Sequence, residues 1–426
     1  MSADLEKLLA AMRGTDAASS RVEPAARQYD VAFETLPEMQ KIRLQRDYAA
    51  MTGLVVPYYR EHLGQSGARA RIGNHELVNF TSYDYLGLNG HPEINAAAAE
   101  AIVTYGTSVS ASRISAGERA VHLALERALA AVYEADDCIV FNSGHAGGVS
   151  TIAALMGPKD LIVHDALIHN CIVVGAQLSG AARRTFAHND LDALDQLLAS
   201  DRHRFERVLI VAEGLYSMDG DGPDLARLHE IKVRHGAWLM IDDAHGLGVL
   251  GKTGRGLFEH QNLAPGLADL WFGTLSKTLV GCGGYVAGSA VAVDLLKCHA
   301  PGFVYSVGMP AGTAAASTKA LEIMRREPER VARLQQLSQY FLGQARANGL
   351  DTGTAWGYGI IPIYIGETIK TLQVAQKLFE EGVNAFPILP PGVPERTARL
   401  RFFINATQQE SDIDRTIAAL ASILRA

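Results

Sequence analysis

The sequence predicts an α/β fold: a mostly parallel sheet with helices on both faces, followed by a smaller C-terminal α+β domain. Three observations predict it. From about residue 76, short apolar runs alternate with helical stretches: "CIVFNSG" (138–144) follows "AVHLALERALAAVY", "RVLIVAEG" (207–214) follows "LDALDQLLAS", and "AWLMIDDAHG" (237–246) follows "PDLARLHEIKVRHG". Runs that are apolar at nearly every position are strands buried on both faces, which a parallel sheet covered by helices requires. The length, 426 residues, is too great for one small core and predicts two packed domains. Toward the C-terminus the pattern changes, with "GIIPIYIG" and "ARLRFFINAT" as strands, "TLQVAQKLFEEG" as a helix between them and "PILPPGVP" as a loop.

In chain order, residues 1–75 read as an N-terminal extension: "LEKLLAAM" as a short helix, "RGTDAASSRVEPAARQ" as loop, "EMQKIRLQRDYAAM" as helix. Residues 76–310 form the expected large domain, and 311–426 the linking helix and small domain. The link is alanine-rich and then charged, "RREPERVARLQQLSQYFLGQA". Hydrophobic residues make up 48% and charged residues 20%, ordinary for a globular protein, and the net charge of -7 offers no basic surface to a nucleic acid. Cys138, Cys171, Cys282 and Cys298 are scattered without a CxxC pair, and no basic head with an apolar run opens the chain. The expectation is a reduced, cytoplasmic setting without disulfides or a metal site. No stretch approaches the roughly 20 continuous apolar residues of a membrane span.

Chemistry enters at "FGTLSKTLVGCGGYVAG" (272–288), where Lys277 is the only charged side chain. Alone, the segment reads as a lysine snorkelling at a strand end. Its sharper reading is an amine whose desolvation lowers its pKa and frees it to attack an aldehyde. Other strand ends decide between them. "FNSGHAGG" places small residues where a strand turns into a helix, a site for a phosphate. "AEGLYSMDGD" offers Ser217, "MIDDAHG" offers Asp242, Asp243 and His245, and "HDALIHN" offers His164 and His169. Together these meet the needs of pyridoxal phosphate. Asp242 would keep the ring nitrogen protonated, His169 would stack on the ring, and His245 would reach its hydroxyl. Ser143, Gly144, Ser217, Thr274 and Ser276 could donate to phosphate or ring oxygens. A metal site made of His164, His169, Asp242, Asp243 and His245 lacks a close ligand pair such as HExxH and leaves Lys277 idle. A dinucleotide site fails because "GCGGYVAG" leads into an apolar strand rather than a helix.

From about residue 76 to the end, the sequence resembles the α-oxoamine synthases, fold-type I pyridoxal phosphate enzymes. The resemblance rests on "NFTSYDYLGLNGHP" (79–92), "GTSVSASRISAGERAVHLALE" (106–126), "FNSGHAGG", "HDALIHN", "RTFAHND" (184–190), "AEGLYSMDGD", "IDDAHGLGVLGKTGRG", "GTLSKTLVGCGGY", "PGFVYSVGMP" and "TARLRFF" (397–403). It implies a seven-stranded, mostly parallel sheet. It also implies Lys277 as the cofactor-linked lysine and acid/base, Asp242 on the ring nitrogen and His169 stacked on the ring. His245, Ser217, Thr274 and Ser276 would lie around the cofactor, with Ser143, Gly144 and His145 at the phosphate turn. Tyr83, Thr397 and Arg401 become substrate residues, Arg401 gripping the amino-acid carboxylate, with Arg399 as the neighbouring candidate. Members are homodimers with the site at the interface, which gives Tyr305 and Ser306 to the neighbouring subunit's phosphate. The implied reaction is a decarboxylative condensation of glycine, alanine or serine with an acyl thioester, carried by coenzyme A or an acyl-carrier protein. The alternatives are an aminotransferase on the same fold or the 8-amino-7-oxononanoate synthase activity of biotin synthesis. Tyr83 stands where the biotin-pathway branch usually has asparagine, Arg113 is nearer the sphingoid and aminolevulinate branches, and His145 replaces an aromatic residue. The nearest likeness is to members serving polyketide or fatty-acyl assembly.

Overall fold

The computed structural model describes residues 32–390 and 392–425. "LEKLLAAM" and "RGTDAASSRVEPAARQ" lie outside them. Two compact units divide at Val56 and Pro57. In the first, a 3-10 turn Phe33–Thr35 precedes the expected helix, Pro37–Thr52, which starts with proline in its first turn and stops at Gly53, φ 69°.

In the second unit, a seven-stranded sheet has the spatial order Asp137–Phe141, Gly284–Gly288, Leu270–Thr274, Trp238–Asp242, Val208–Glu213, Leu161–Asp165, Ala182–Phe186. Val208–Glu213 and Leu161–Asp165 are buried at every position, which is why "VLIVAE" and "LIVHD" are nearly all apolar. Only Gly284–Gly288 runs antiparallel, to both of its neighbours. The connection from Leu270–Thr274, residues 275–283, is too short for the crossover a parallel return would need. The remaining strands are parallel, so their carboxyl ends share one rim. Register sets Glu213 opposite Asp242, and Asp242 opposite Phe272. Helices between the strands start on side-chain caps: Ser143, His169, Asp190 and Asp224 each accept a backbone N–H of the first turn.

The linking segment is two helices, Ala311–Arg326 and Glu329–Ala347. Pro328 separates them, because the residue before a proline is pushed out of the helical region and Glu327 takes φ -123°, ψ 62°. Beyond them lies the smaller domain, an antiparallel sheet of Ile360–Gly366, Ala398–Phe403 and Phe386–Ile388 with the helices Thr368–Glu380 and Glu410–Arg425. Phe386–Ile388 takes in the first two residues of the expected "PILPPGVP" loop. It is an edge strand, where Pro387 removes no inner ladder bond.

A second difference concerns the N-terminal boundary. His62–Leu63, Arg69–Ile72 and His75–Asn79 form a four-stranded sheet with Val383–Asn384, so the segment after Pro57 belongs to the second unit rather than to an extension ending at about 75. "RARI" alternates exposed and buried, a half-buried strand whose arginines hid it in the sequence.

Candidate active site

Lys277 lies in the turn that follows Leu270–Thr274. Leu275 N–H donates to Gly283 O at 2.9 Å, Gly281 N–H to Leu275 O at 2.8 Å, and Val280 N–H to Lys277 O at 3.0 Å. The turn is tight enough to hold Val280, a β-branched residue, at φ 43°. These bonds fix where the lysine side chain begins. Ser143, Gly144, His145, His169, Ser217, Asp242, His245, Thr274, Ser276 and Lys277 line one cavity of about 230 Å³ at the rim of strand ends. Cys171, Glu213, Ala244 and Phe272, not selected from the sequence, complete its wall.

Burial lowers the Lys277 amine to about 8, although Asp242 and Glu213 pull it the other way. Burial likewise raises the Asp242 carboxyl to about 6 against the opposing charge of Lys277 and the N–H of Ala244, which donates to it at 3.1 Å. Two poorly solvated groups of opposite charge therefore line one cavity and act on each other's charge. Burial, then the charge of Lys277, brings His169 down to about 4, so its ring is neutral at pH 7. Its Nδ1 accepts from Cys171 N–H at 3.3 Å, capping the helix Asn170–Ser179 and fixing the ring's tilt.

His245 is buried and falls well below its usual range through burial, with Lys277 and Arg401 adding to the shift. Its Nδ1 pairs with the Tyr85 hydroxyl at 2.7 Å, and its ring lies nearly parallel to Phe403, 8° between planes at 6.2 Å. Tyr85 and Phe403 thus aim the imidazole, and neither was found from the sequence.

Ser143 caps the helix Gly144–Leu155, its Oγ accepting from Ala146 N–H at 3.3 Å. The start of that helix, Ser143, Gly144 and His145, lines the cavity, and the first N–H groups of a helix have no helical partners. A side chain on residue 144 would bring its Cβ to 3.0 Å from Thr274 Oγ1, so glycine keeps this corner open. Thr274 lines the cavity, and its hydroxyl donates to Gly283 O at 2.9 Å.

Arg401 and Arg399 share a strand face but differ in occupation. Arg399 is buried and donates to Asp219, to Tyr364 Oη at 2.6 Å and to Thr397 O at 3.0 Å, which spends its guanidinium on structure. Arg401 donates from Nη1 to Ser217 O at 2.8 Å, lies 4.7 Å over the Phe403 ring, and keeps a buried Nε with no partner among the described residues. An unpaired buried donor calls for a ligand. Tyr83, 40% exposed, stands edge-on to Phe403 at 4.8 Å and to His245 at 6.2 Å, beside this donor.

Thr397, expected to bind substrate, lies off the cavity wall: its hydroxyl donates to Pro394 O at 2.7 Å and closes the turn before the strand. Ser306 is also off the wall. His164 is turned to the backbone, its Nδ1 2.7 Å from Asp165 O. Asp243 is wedged against glycine backbone, since a Cβ on Gly214, Gly246 or Gly256 would overlap its carboxyl.

Away from the cavity wall, His188 from the "HND" stretch bridges Asp165 at 3.0 Å and Asp221 at 3.1 Å. Burial pulls its pKa down, but its bonds to the two carboxylates hold it up at about 10. A pKa raised in the folded state stabilises fully below the unfolded value near 6.5 and ceases to do so as pH rises through about 10. His188→Gln is therefore expected to cost about 3 kcal/mol at pH 6. In denaturant melts the gap to wild type should close between pH 6.5 and 10; a gap independent of pH would show that the imidazolium charge is not what holds the pair.

The donor set fits pyridoxal phosphate: a desolvated lysine, a buried carboxyl with one backbone donor, a neutral imidazole, and a helix N-terminus kept open by glycine. The fold and this cavity define the class, fold-type I pyridoxal phosphate transferases. Residues 75–420 match the model of the family "Aminotransferase class I and II". An 8-amino-7-oxononanoate synthase from Geobacter sulfurreducens is 40% identical over 389 residues, covering 91% of this chain and 96% of the relative. The 4-hydroxy-2,2'-bipyrrole-5-methanol synthase PigH of Serratia sp. is 39% identical over 82% of this chain and 53% of its own length. Among solved structures, Sphingomonas wittichii serine palmitoyltransferase superposes with a TM-score of 0.87 at 26% identity, covering 92% of this chain and 98% of that one. The chain belongs to the class I and II aminotransferase family and, within it, to the α-oxoamine synthases.

Proposed function

We propose that the chain condenses glycine, alanine or serine with an acyl thioester, releasing CO2 and free thiol and leaving an α-amino ketone. The observation that carries this reading is an arginine with a free buried donor, Arg401 Nε, near enough to the Lys277 amine for its charge to depress that amine. A carboxylate held by Arg401 places the attached Cα toward Lys277, which is what proton removal at that carbon requires. When bound, pyridoxal phosphate supplies the electron sink for the bonds of Cα.

The chain's own residues do the rest. Asp242 keeps the ring nitrogen protonated, His169 covers one ring face as a neutral imidazole, and the helix N-terminus at Ser143, Gly144 and His145 takes the phosphate. Lys277, neutral once its proton is lost, removes the Cα proton and can return one to the same carbon after decarboxylation. Arg401 orients the carboxylate with a fork suited to two parallel hydrogen bonds. Tyr83 and Ser217 border the space above the reacting carbon.

Within the unit that begins at Pro57, residues 76–310 then carry the cofactor-binding domain and 311–426 the link and small domain, with the strands from His62 to Asn79 joining Val383–Asn384 in one sheet. A second copy of the chain completes the site, contributing Tyr305 and Ser306; Tyr305 is 88% exposed, which suits a residue awaiting a partner. Among the described residues no helix is long and apolar enough to cross a membrane, in keeping with a cytoplasmic enzyme. Tyr83 in place of an asparagine favours an acyl partner other than that of the biotin branch, with an acyl-carrier protein as its bearer. A mass-spectrometric screen of glycine, alanine and serine against acyl groups on coenzyme A and on carrier protein tests this. Ketone formed from carrier-bound acyl groups supports it, and formation only from the coenzyme A thioesters would remove the carrier from the account.

A further inference from the structure

Glu213 ends the strand Val208–Glu213, is 2% exposed and lines the cofactor cavity, yet has no place in the chemistry above. Its Oε2 accepts from Ser217 N–H at 3.1 Å, and its Oε1 is buried with no partner among the described residues. No lysine, arginine or histidine forms an ion pair with it among the described residues. On the adjacent strand, in register, stands Asp242. Side chains at one register of neighbouring parallel strands lie on the same face, so two carboxyls end side by side in the same unsolvated space. Asp165 adds a third carboxylate nearby, and the cations that face the pair are Lys277 and Arg401. Cys171 and Tyr216 are the other titratable neighbours.

Two neighbouring buried carboxyls share their charge unequally, and the better compensated one keeps it. Asp242 has the stronger claim, because Lys277 stabilises its charge and the cofactor's ring nitrogen adds a second cation. Burial and the charge of Asp242 push the Glu213 carboxyl well above the usual range. A neutral carboxyl has one O–H to give. Oε2 is already an acceptor for Ser217, so the proton belongs on Oε1, the atom without a partner.

We propose that Glu213 is a cofactor-binding residue that stays protonated and donates a hydrogen bond from Oε1 to an oxygen on the ring of bound pyridoxal phosphate. The phosphate oxygens are served by the helix N-terminus, which leaves the ring oxygen as the acceptor. The inference rests on the pyridoxal phosphate reading of the cavity, and binding of the cofactor by wild type tests that reading separately.

The test compares the cofactor Kd of wild type, Glu213→Gln and Glu213→Ala, titrating each apo protein with pyridoxal phosphate by fluorescence, with apo melting temperatures taken in parallel. Glutamine can accept from Ser217 and donate from its amide, whereas alanine does neither. The expected result is a Kd within about threefold of wild type for Gln and at least about tenfold weaker for Ala, since one lost donor to an oxygen is worth about that factor. Equal weakening in both variants would show an anionic Glu213, and an unchanged Kd in Ala would show that it makes no cofactor contact; either overturns the proposal. Should a variant fail to fold, infrared spectra of the wild-type holoprotein and of Asp243→Asn at pH 7 decide, since burial also pushes the Asp243 carboxyl up: a protonated carboxyl band is expected in both, and its absence from Asp243→Asn refutes the neutral form.

Discussion

Lys277→Ala is expected to lower turnover by about 10⁴-fold or more while leaving a folded protein that still takes up pyridoxal phosphate. The size follows from the loss of two roles at once, the amine that captures the cofactor's aldehyde and the base at Cα, and a positioned acid/base alone contributes about 10²- to 10⁴-fold. Folding should survive. The amine forms no ion pair among the described residues and burial works against its charge, so removing it relieves desolvation rather than breaking a network. Borohydride reduction of the wild-type holoprotein should fix the cofactor's mass on the Lys277 peptide, and no such adduct should form in the variant. Wild-type turnover by the purified variant would place the chemistry on another residue.

Arg401→Ala is expected to lower kcat/KM for the amino acid by about 100-fold, with the cofactor Kd unchanged. Two charge-assisted hydrogen bonds to a carboxylate, each worth about 1.5–3 kcal/mol in a desolvated site, justify at least that factor. Arg401→Lys keeps the charge but loses the planar fork and should recover only part of the activity. The neighbour behaves differently. Arg399→Ala breaks a buried contact with Asp219 and Tyr364 and should lower the melting temperature instead. Loss of amino-acid affinity in Arg399→Ala, with none in Arg401→Ala, would reverse the assignment of the two arginines.

What could be read from the sequence was the chemistry with strict residue requirements. A lone lysine after an apolar strand, an aspartate closing another strand and a histidine before a helix each stood at a strand end, and a parallel sheet brings such ends to one rim. What could not be read was how already committed groups are used. Thr274 and Thr397 counted as available hydroxyls, but each donates to a backbone carbonyl, and only coordinates reveal that. Arg401 was the expected carboxylate partner with Arg399, two residues away on the same strand, as its fallback, and what sets the two apart is Asp219, distant in the chain. Glu213 closes an apolar run and reads as the end of a strand; its importance comes from Asp242 beside it in register. Tyr85 sits among aromatic residues of the "NFTSYDYLG" stretch, and its bond to His245 spans 160 positions. Short strands with charged alternate positions, such as "RARI", gave too weak a period to displace the boundary from 75 to 57.

The central claim is that the cavity joins two substrates with loss of CO2 and does not exchange an amino group. The most direct measurement mixes holoprotein with amino acid and acyl thioester and quantifies CO2, free thiol and ketone together. Equal amounts of all three are expected, with the cofactor recovered as its aldehyde. A keto acid accumulating with the amine form of the cofactor, and no thiol released, would contradict it.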